Sequence, residues 1–238
     1  AIDLGTNSTH LLIASVDPQL RTFQVLLAEK STTRLGERDP DTGDLSPEAM
    51  ERARLALRHC RELASSHDVE EIVCVATSAM REAPNGVAFL EEVERDFGLK
   101  TEVISGPEEA RLIYLGVLSG MDFAEQPHYI LDIGGGSTEL ILADAGDARA
   151  LTSSRVGAVR LQRDFIRQEP LDRKRVQFLR AFIQGSMEPA VEKVRRRLEP
   201  DETPVLVATS GTAMAAAALL AVDRPELNGR LHGAEFSR

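Results

Sequence analysis

Residues 1–15, "AIDLGTNSTHLLIAS", are nearly repeated by residues 131–144, "LDIGGGSTELILAD". In each stretch, apolar residues stand on both sides of a polar, glycine-containing turn, which is typical of a β-hairpin. The residues that the two stretches share in register are Asp3 and Asp132, Gly5 and Gly134, Ser8 and Ser137, Thr9 and Thr138, Leu11 and Leu140, and Ala14 and Ala143. A hairpin that occurs twice predicts that the chain contains two similar domains.

The segments after each hairpin also follow one order, a third strand and then alternating helices and strands. In the first half, strands are predicted at residues 22–31, 71–77 and 101–105, and helices at 47–66, 85–98 and 107–120. In the second half, strands are predicted at residues 148–156 and 203–211, and helices at 157–168, 172–199 and 212–222. This pattern predicts an α/β fold in which each domain has a mixed sheet with a hairpin at its edge.

The boundary between the domains is expected near residues 120–126, where "GMDFAEQ" breaks the helical pattern. The domains are then residues 1–122 and 123–238, and each glycine turn is expected to face a cleft between them. The chain starts directly in a strand-like run and ends without a helix terminator or a closing strand. Segments are therefore expected to be missing at both ends, including the end of the second domain.

The composition is that of an ordinary globular protein, with 42% apolar and 28% charged residues among 238. No apolar run is long enough to span a bilayer, and no secretory signal is visible, so no membrane partner is expected. The two cysteines, Cys60 and Cys74, match no metal-site or redox spacing, and the five histidines are scattered. Sparse free thiols of this kind predict a reducing, cytoplasmic location.

Charge is distributed unevenly along the chain. The net charge of −10 argues against a general nucleic-acid binder. Residues 160–197, however, contain eleven Lys or Arg against five Asp or Glu. Within them, Arg160 and the cluster of Arg195, Arg196 and Arg197 are candidates for a surface that binds a long polyanion. A solvated helix face with interspersed glutamates explains the same pattern, and the sequence leaves both interpretations open.

The repeated turns have the composition of phosphate-binding sites. Glycine lets the backbone turn tightly and approach a ligand closely, and successive backbone amides bind anions. The candidate phosphate-binding residues are Asp3, Gly5, Thr6, Asn7, Ser8, Gly134, Gly135, Gly136, Ser137 and Thr138. A flexible hairpin turn would explain either glycine run alone, but two copies in register favour a ligand.

Three carboxylates accompany these turns. Asp3 and Asp132 each end the first strand of a hairpin, and Glu139 lies on the returning strand of the second hairpin. A carboxylate beside a bound phosphate holds Mg²⁺, directly or through water, and the cation then screens the phosphate charge. These three residues are therefore the candidate metal ligands.

Six stretches together resemble one protein family. They are "AIDLGTNSTHLLIA", "ATSAMREAPNG", "ISGPEEARLIYLGV", "LDIGGGSTEL", "VGAVRLQRDF" and "TSGTAMAAAAL". Their order and spacing over essentially the whole chain resemble the exopolyphosphatase / guanosine pentaphosphate phosphohydrolase family. This resemblance implies the fold of the actin-like ATPase superfamily, with duplicated ribonuclease-H-like domains and an interdomain cleft.

The resemblance also implies an activity. Members of the family remove the terminal phosphate of inorganic polyphosphate, or of guanosine pentaphosphate, an alarmone of the stringent response. The resemblance implies Mg²⁺ or Mn²⁺ as cofactor. It further implies additional C-terminal helices, through which members of the family form homodimers.

By position, the resemblance assigns roles to single residues. Glu109 matches the catalytic glutamate, Arg81 matches a phosphate-contacting arginine, and Asp132 and Glu139 match the metal-linked acids. Gly211 and Thr212 match a later phosphate-binding segment. One departure from the pattern is Pro107, where many members have a polar or acidic residue, but proline is tolerated in the first turn of a helix.

Physical reasoning leaves more than one role for two of these residues. Glu109 at a helix N-terminus can accept a proton from an attacking water, or it can simply favour the helix dipole, as Glu108 beside it is expected to do. Arg81 follows a strand end, where ligands bind in α/β folds, but an ordinary surface arginine explains its position equally well.

Two other functions also fit two phosphate-binding turns with acids. An ATPase or kinase of the actin or sugar-kinase type needs an adenine pocket in addition, and the sequence gives no sign of one. A non-catalytic module that binds polyphosphate or an alarmone is expected to have lost its carboxylates. Because Asp3, Glu109, Asp132 and Glu139 are all present, the sequence favours the enzyme.

Overall fold

The structure, a computed structural model, describes residues 1–20, 22–123, 126–166, 170–222 and 231–235. The chain divides into two compact units, residues 1–105 and 106–238. Among the described residues, no helix has both the length and the apolar character that are needed to cross a membrane.

The first unit is built on a five-stranded sheet. Its strands are β1 (Ile2–Leu4), β2 (Thr9–Asp17), β3 (Thr22–Ser31), β4 (Cys74–Ala76) and β5 (Thr101–Val103), and its helices are α1 (Pro47–Ser66), α2 (Ser78–Glu82) and α3 (Gly86–Phe97). The strand order is β3-β2-β1-β4-β5. The first three strands are antiparallel neighbours, whereas β4 runs parallel to β1 and β5 runs parallel to β4.

The second unit repeats this topology. Its helices are α4 (Gly106–Gly120), α5 (Ala158–Phe165), α6 (Arg173–Arg195) and α7 (Ser210–Leu220), and its strands are β6 (His128–Ile133), β7 (Thr138–Ala143), β8 (Ala148–Ser154) and β9 (Val205–Thr209). The strand order is β8-β7-β6-β9, with β9 parallel to β6. This matches β3-β2-β1-β4 of the first sheet, so the α/β fold and the duplication predicted from the two hairpins are confirmed.

Local signals set the ends of several helices as expected. The hydroxyl of Ser46 accepts a hydrogen bond of 3.2 Å from the amide of Ala49, and Pro47 takes the first helical position of α1. At the end of α3, Gly98 adopts a left-handed φ of 65°, which closes that helix. The helix predicted at residues 157–168 also includes residues 167 and 168, which lie outside the described residues.

The central strand β7 is buried on both faces of its sheet. All six of its residues are buried. Ile141 belongs to the core cluster of Tyr114 in α4, whereas Leu142 belongs to that of Val194 in α6. Two covered faces explain why the strand is an almost continuous apolar run. Because side chains alternate along a strand, the single carboxylate, Glu139, shares the face of Ile141 and is directed to the side of α4.

The division between the units differs from the boundary expected near residues 120–126. It falls between Ser105 and Gly106, so α4 belongs to the second unit. The physical reason is that Ala110 and Tyr114 of α4 are buried against the second sheet, and the Tyr114 hydroxyl donates to the carbonyl of Asp144 at 3.1 Å. Residues 124 and 125 of the expected boundary lie outside the described residues.

The structure also corrects the segment around residue 77. The strand predicted at residues 71–77 spans only Cys74–Ala76, and Thr77 is followed by the helix α2, which was not predicted from the sequence. A helix of five residues shows too little periodicity to be detected, and α2 is held by the burial of Ala79 and Met80.

Candidate active site

The two glycine turns share one backbone geometry. In the first glycine turn, residues 5–8, the amide of Gly5 donates to the carbonyl of Ser8 at 3.0 Å. In the second glycine turn, residues 134–137, the amide of Gly134 donates to the carbonyl of Ser137, also at 3.0 Å. A Cβ atom would lie 2.9 Å from the Ser8 carbonyl oxygen at Gly5 and 3.2 Å from that of Ser137 at Gly134. The repeat in the sequence thus extends to the hydrogen bonds, and both positions favour glycine.

The loop after β3 holds the carbonyl groups of the first glycine turn. The amides of Thr33 and Arg34 donate to the carbonyl of Asn7 at 3.1 and 2.9 Å. The amide of Gly36 donates to the carbonyl of Thr6 at 2.7 Å. Because a trans peptide unit is planar, a carbonyl directed to this loop directs the next N–H to the opposite side. The amides that follow these two carbonyls therefore point away from the loop.

The start of α5 holds the second glycine turn in the same way. The amide of Ala158 donates to the carbonyl of Gly134 at 3.0 Å, and the amide of Arg160 donates to that of Gly135 at 3.0 Å. Nε of Arg160 donates to the carbonyl of Gly136 at 2.8 Å. The three amides that follow these carbonyls are thereby directed away from α5, and consecutive amides in such an arrangement bind anions.

Two carboxylates are cross-strand partners in the second hairpin. Asp132 on β6 pairs in register with Glu139 on β7. Glu139 is only 1% exposed, and its Oε1 accepts a hydrogen bond of 2.7 Å from the hydroxyl of Ser153 on β8. A second hydrogen bond to this carboxylate comes from the side chain of Ser137 in the turn. Asp132 accepts a hydrogen bond of 2.6 Å from the hydroxyl of Thr209 at the end of β9.

Burial and like charge act together on these carboxylates. Burial is the main cause that raises the pKa of Glu139 to about 8, and the charge of Glu109 adds to it, while the hydrogen bonds from the two serines act in the opposite direction. The pKa of Asp132 is raised by burial and lowered in part by the hydrogen bond from Thr209. Ionisation of these carboxyls is therefore disfavoured in the absence of a cation, and a bound cation would favour their ionised forms.

The two acids in the first turn of α4 have different environments. Glu108 accepts two hydrogen bonds from Arg111 on the same helix, at 2.8 and 2.7 Å, and these bonds hold the pKa of Glu108 below its usual value. Glu109 instead interacts electrostatically with Glu139, and its charge raises the pKa of that buried carboxyl. The structure thus brings Glu109, Glu139 and Asp132 together within the second unit.

Arg81 lies in α2 of the first unit. Its Nη1 donates to the carbonyl of Ile104 at 2.6 Å. Because α2 directly follows β4 and Ile104 directly follows β5, Arg81 stands at the carboxyl ends of two parallel strands, the edge where α/β folds bind ligands. Asp3 also lies in this unit, on β1, where its cross-strand partner is His10.

Gly211 and Thr212 are the second and third residues of α7, which begins at Ser210 directly after β9. Ser210, which precedes them, has a φ of 78°, a left-handed value that is uncommon for a residue with a side chain. Its hydroxyl donates to the carbonyl of Ile133 at 2.8 Å. This contact ties the start of α7 to the end of β6, where the second glycine turn begins.

The arginines proposed to bind a polyanion lie in two different environments. Arg195 ends α6, and Arg196 and Arg197 follow it, all three exposed. Arg196 pairs with Glu192 at 3.1 Å, so part of the positive charge is compensated. Arg160 differs from this cluster because it contacts the second glycine turn through both its amide and its side chain.

Two residues of the site were not found from the sequence. They are Ser153, the cross-strand partner of Glu139, and Thr209, the cross-strand partner of Asp132. Each donates its hydroxyl to the carboxylate beside it in the sheet. The register of β7 with β8 and of β6 with β9 would have identified both.

The residues fit a hydrated divalent cation. Over the described part of the chain, no three or more His, Cys, Asp or Glu side chains are grouped as a ready-made metal site. Mg²⁺, however, keeps several water molecules and is usually bound through one or two carboxylates together with substrate phosphates. Asp132 and Glu139 supply such a pair beside an anion-binding turn.

Comparison with known proteins identifies the family. A model of the Ppx/GppA phosphatase family matches residues 12–238. The chain belongs to the Ppx/GppA phosphatase family. The resemblance drawn from the six motifs is thereby confirmed, and the chain is an enzyme of the hydrolase class.

Two curated relatives support this family assignment. The chain is 35% identical over 225 residues to exopolyphosphatase 2 of Mycobacterium tuberculosis. This match covers 92% of the chain and 70% of that protein. It is 34% identical over 193 residues to guanosine-5'-triphosphate,3'-diphosphate pyrophosphatase of Photobacterium profundum, over 81% of the chain and 38% of that protein.

Solved structures of Ppx/GppA proteins have the same fold. An exopolyphosphatase from Cytophaga hutchinsonii matches with a TM-score of 0.84 at 28% identity, over 99% of this chain and 71% of that one. A Ppx/GppA enzyme from Aquifex aeolicus matches with a TM-score of 0.71 at 31% identity, over 92% of this chain and 69% of that one.

Proposed function

We propose that this Ppx/GppA phosphatase is a Mg²⁺-dependent hydrolase that releases the terminal phosphate of inorganic polyphosphate or of guanosine pentaphosphate. The observation that carries the proposal is the cross-strand pair of half-buried Asp132 and buried Glu139 beside the second glycine turn. Anion-binding amides and cation-binding carboxylates within one hairpin suit a phosphate chain that is neutralised by a divalent ion. The names of the two relatives support these two substrate classes.

In this proposal, the amides of the second glycine turn bind phosphate oxygens, and Asp132 and Glu139 hold Mg²⁺ or Mn²⁺, which screens the phosphate charge. Glu109 orients the attacking water and accepts its proton, the role that phosphoryl transfer to water requires of a carboxylate. Glu108 is less suited to that role, because Arg111 engages its carboxylate.

The proposal assigns phosphate oxygens to three further groups of residues. Arg81 binds them through its guanidinium, which suits oxyanions. The first glycine turn binds them through its amides, and Asp3 on β1 stays a candidate metal ligand. Gly211 and Thr212 bind them at the start of α7, where helix amides are unpaired. A cytoplasmic location and a homodimer are predictions from the sequence that belong to the same proposal.

The deciding experiment is phosphate release from long-chain polyphosphate, guanosine pentaphosphate and ATP, each with Mg²⁺ and with EDTA. The proposal expects release from at least one of the first two substrates, dependent on Mg²⁺. Turnover of ATP alone would indicate an ATPase or kinase of the actin or sugar-kinase type. Binding of either proposed substrate without any release would indicate a non-catalytic module.

A further inference from the structure

The second glycine turn lacks the side chains that usually hold a backbone in place. Three consecutive glycines, Gly134 to Gly136, form most of it. Glycine reaches more backbone conformations than any other residue, so each peptide unit here can rotate at little steric cost. An anion is bound only when consecutive N–H groups converge, and therefore something outside the turn must fix the orientation of its peptide units.

Arg160 contacts two consecutive peptide units of this turn. Its backbone amide donates to the carbonyl of Gly135 at 3.0 Å, and its Nε donates to the carbonyl of Gly136 at 2.8 Å. The amide is one of those that a helix N-terminus leaves without an internal partner, since the first bond within α5 runs from Leu161 to Gly157. One residue thus directs two successive N–H groups to the opposite side of the turn.

We propose that Arg160 is a positioning residue: the hydrogen bond from its Nε orients the amide of Ser137 toward substrate phosphate, and the bond from its backbone amide orients that of Gly136. The inference rests on the proposed function of the second glycine turn as a phosphate site. Arg160 then affects phosphate binding by holding the turn, and it does not attract a polyanion directly with its charge.

The packing of Gly157 supports this assignment. A Cβ atom at Gly157 would lie 2.4 Å from the carbonyl oxygen of Gly135 and 2.5 Å from the carbonyl carbons of Gly135 and Gly136. The start of α5 therefore approaches the turn as closely as a backbone can. The first glycine turn is held by backbone amides of residues 33, 34 and 36, whereas the turn with three glycines has the arginine side chain in addition.

Two substitutions separate the hydrogen bond from the charge. In Arg160→Gln, Nε2 occupies the same place along the side chain as Nε of arginine, so a donor is kept and the positive charge is lost. In Arg160→Met, a side chain of similar length has neither donor nor charge. The control is Arg163→Met on the same helix, where the arginine is engaged with Asp164.

We expect Arg160→Met to lower kcat about tenfold, the effect of one hydrogen bond, and Arg160→Gln to recover most of that loss. Neither change should depend on salt, because a short hydrogen bond is not screened as a surface charge is. If Arg160→Gln and Arg160→Met are equally impaired, and both defects shrink at high salt, the charge of Arg160 acts directly and the inference is wrong.

A measurement without turnover keeps this test separate from the proposed function. In the ¹⁵N-glycine-labelled chain, the amide signals of residues 134–136 report on the order of the turn, and pyrophosphate with Mg²⁺ serves as the probe. Arg160→Met should broaden these signals and weaken the pyrophosphate response, while Arg160→Gln and Arg163→Met should preserve both. Signals that are unchanged in Arg160→Met would overturn the inference, whichever substrate the enzyme hydrolyses.

Discussion

The hydroxyl of Ser153 donates a hydrogen bond of 2.7 Å to Oε1 of Glu139, and the two residues are cross-strand partners in β8 and β7. The bond satisfies one oxygen of a buried carboxylate and opposes the rise in pKa that burial produces. Gly106, the first residue of α4, packs on the same serine, because a Cβ at Gly106 would lie 2.6 Å from that of Ser153. The side chain of Ser153 thus contacts the start of the helix that carries Glu109, and it also orients Glu139.

Replacing this serine should move the pH dependence of the enzyme. In Ser153→Ala, the lost hydrogen bond raises the pKa of Glu139 further, so the acid limb of the kcat/KM profile should shift to higher pH by about one unit. Ser154→Ala, the next residue on β8, is the control and should leave the profile in place. Superimposable profiles for Ser153→Ala and the wild type would contradict this prediction.

Glu139 should make the metal-free protein less stable as the pH rises. Its pKa is raised from 4.5 to about 8 on folding, so the folded state binds more protons than the unfolded state between these values. The free energy of unfolding in EDTA should therefore be highest below about pH 4.5, as far as this group is concerned, and fall as the pH passes through about 8. Urea denaturation at several pH values measures the slope, and Glu139→Gln should flatten it. An equal slope in both proteins would show that Glu139 does not carry the effect.

Glu109 should be needed for turnover but not for binding. Glu109→Gln should lower kcat at least ~100-fold, in the range expected for loss of a general base, while KM should not rise, because the charge that is removed repels phosphate. Glu108→Gln is the matched control, since Glu108 is engaged with Arg111 on the same helix turn. Near-normal turnover in Glu109→Gln would remove Glu109 from the mechanism.

Asp132 should set the requirement for Mg²⁺. Asp132→Asn keeps an oxygen near Thr209 but loses the charge, so the Mg²⁺ concentration that gives half-maximal activity should rise by about tenfold or more. Titration of activity with Mg²⁺ at saturating substrate gives the comparison. An unchanged Mg²⁺ response, or wild-type activity that EDTA does not affect, would argue against metal-assisted hydrolysis.

The exposed arginines at the end of α6 should matter only for long substrates. Neutralising Arg195 and Arg197 together should raise KM for long polyphosphate at low salt and leave short chains unaffected, and the difference should shrink as salt screens the charge. KM for both lengths at two salt concentrations provides the test. If the variant treats both lengths as the wild type does at low salt, these arginines form a solvated helix face.

The parts of the fold that were predicted correctly have local signals in the sequence. The two hairpins share residues in register, Ser46 and Pro47 mark the start of α1, and Gly98 marks the end of α3. The division between the compact units lies earlier in the chain than the boundary expected from the sequence, because it depends on which sheet buries Tyr114, and no local pattern indicates that sheet.

The candidate site was predictable to the same extent. Asp132 and Glu139 belong to a motif, so the sequence alone is enough to propose them. Ser153 and Thr209 reach the carboxylates through strand register, which brings together residues that are distant in the chain. A hydroxyl on a strand is too common to be noticed until its cross-strand neighbour is known.

The register of the two hairpins also has an evolutionary consequence. The residue paired with Asp3 is His10, whereas the residue paired with Asp132 is Glu139. After the duplication, both copies retained the backbone of the turn, but the paired acids stand in one copy only. We therefore expect unequal constraint at this position in the two halves of the gene: other polar residues should replace His10 on its exposed strand face, whereas Glu139 should be retained among relatives.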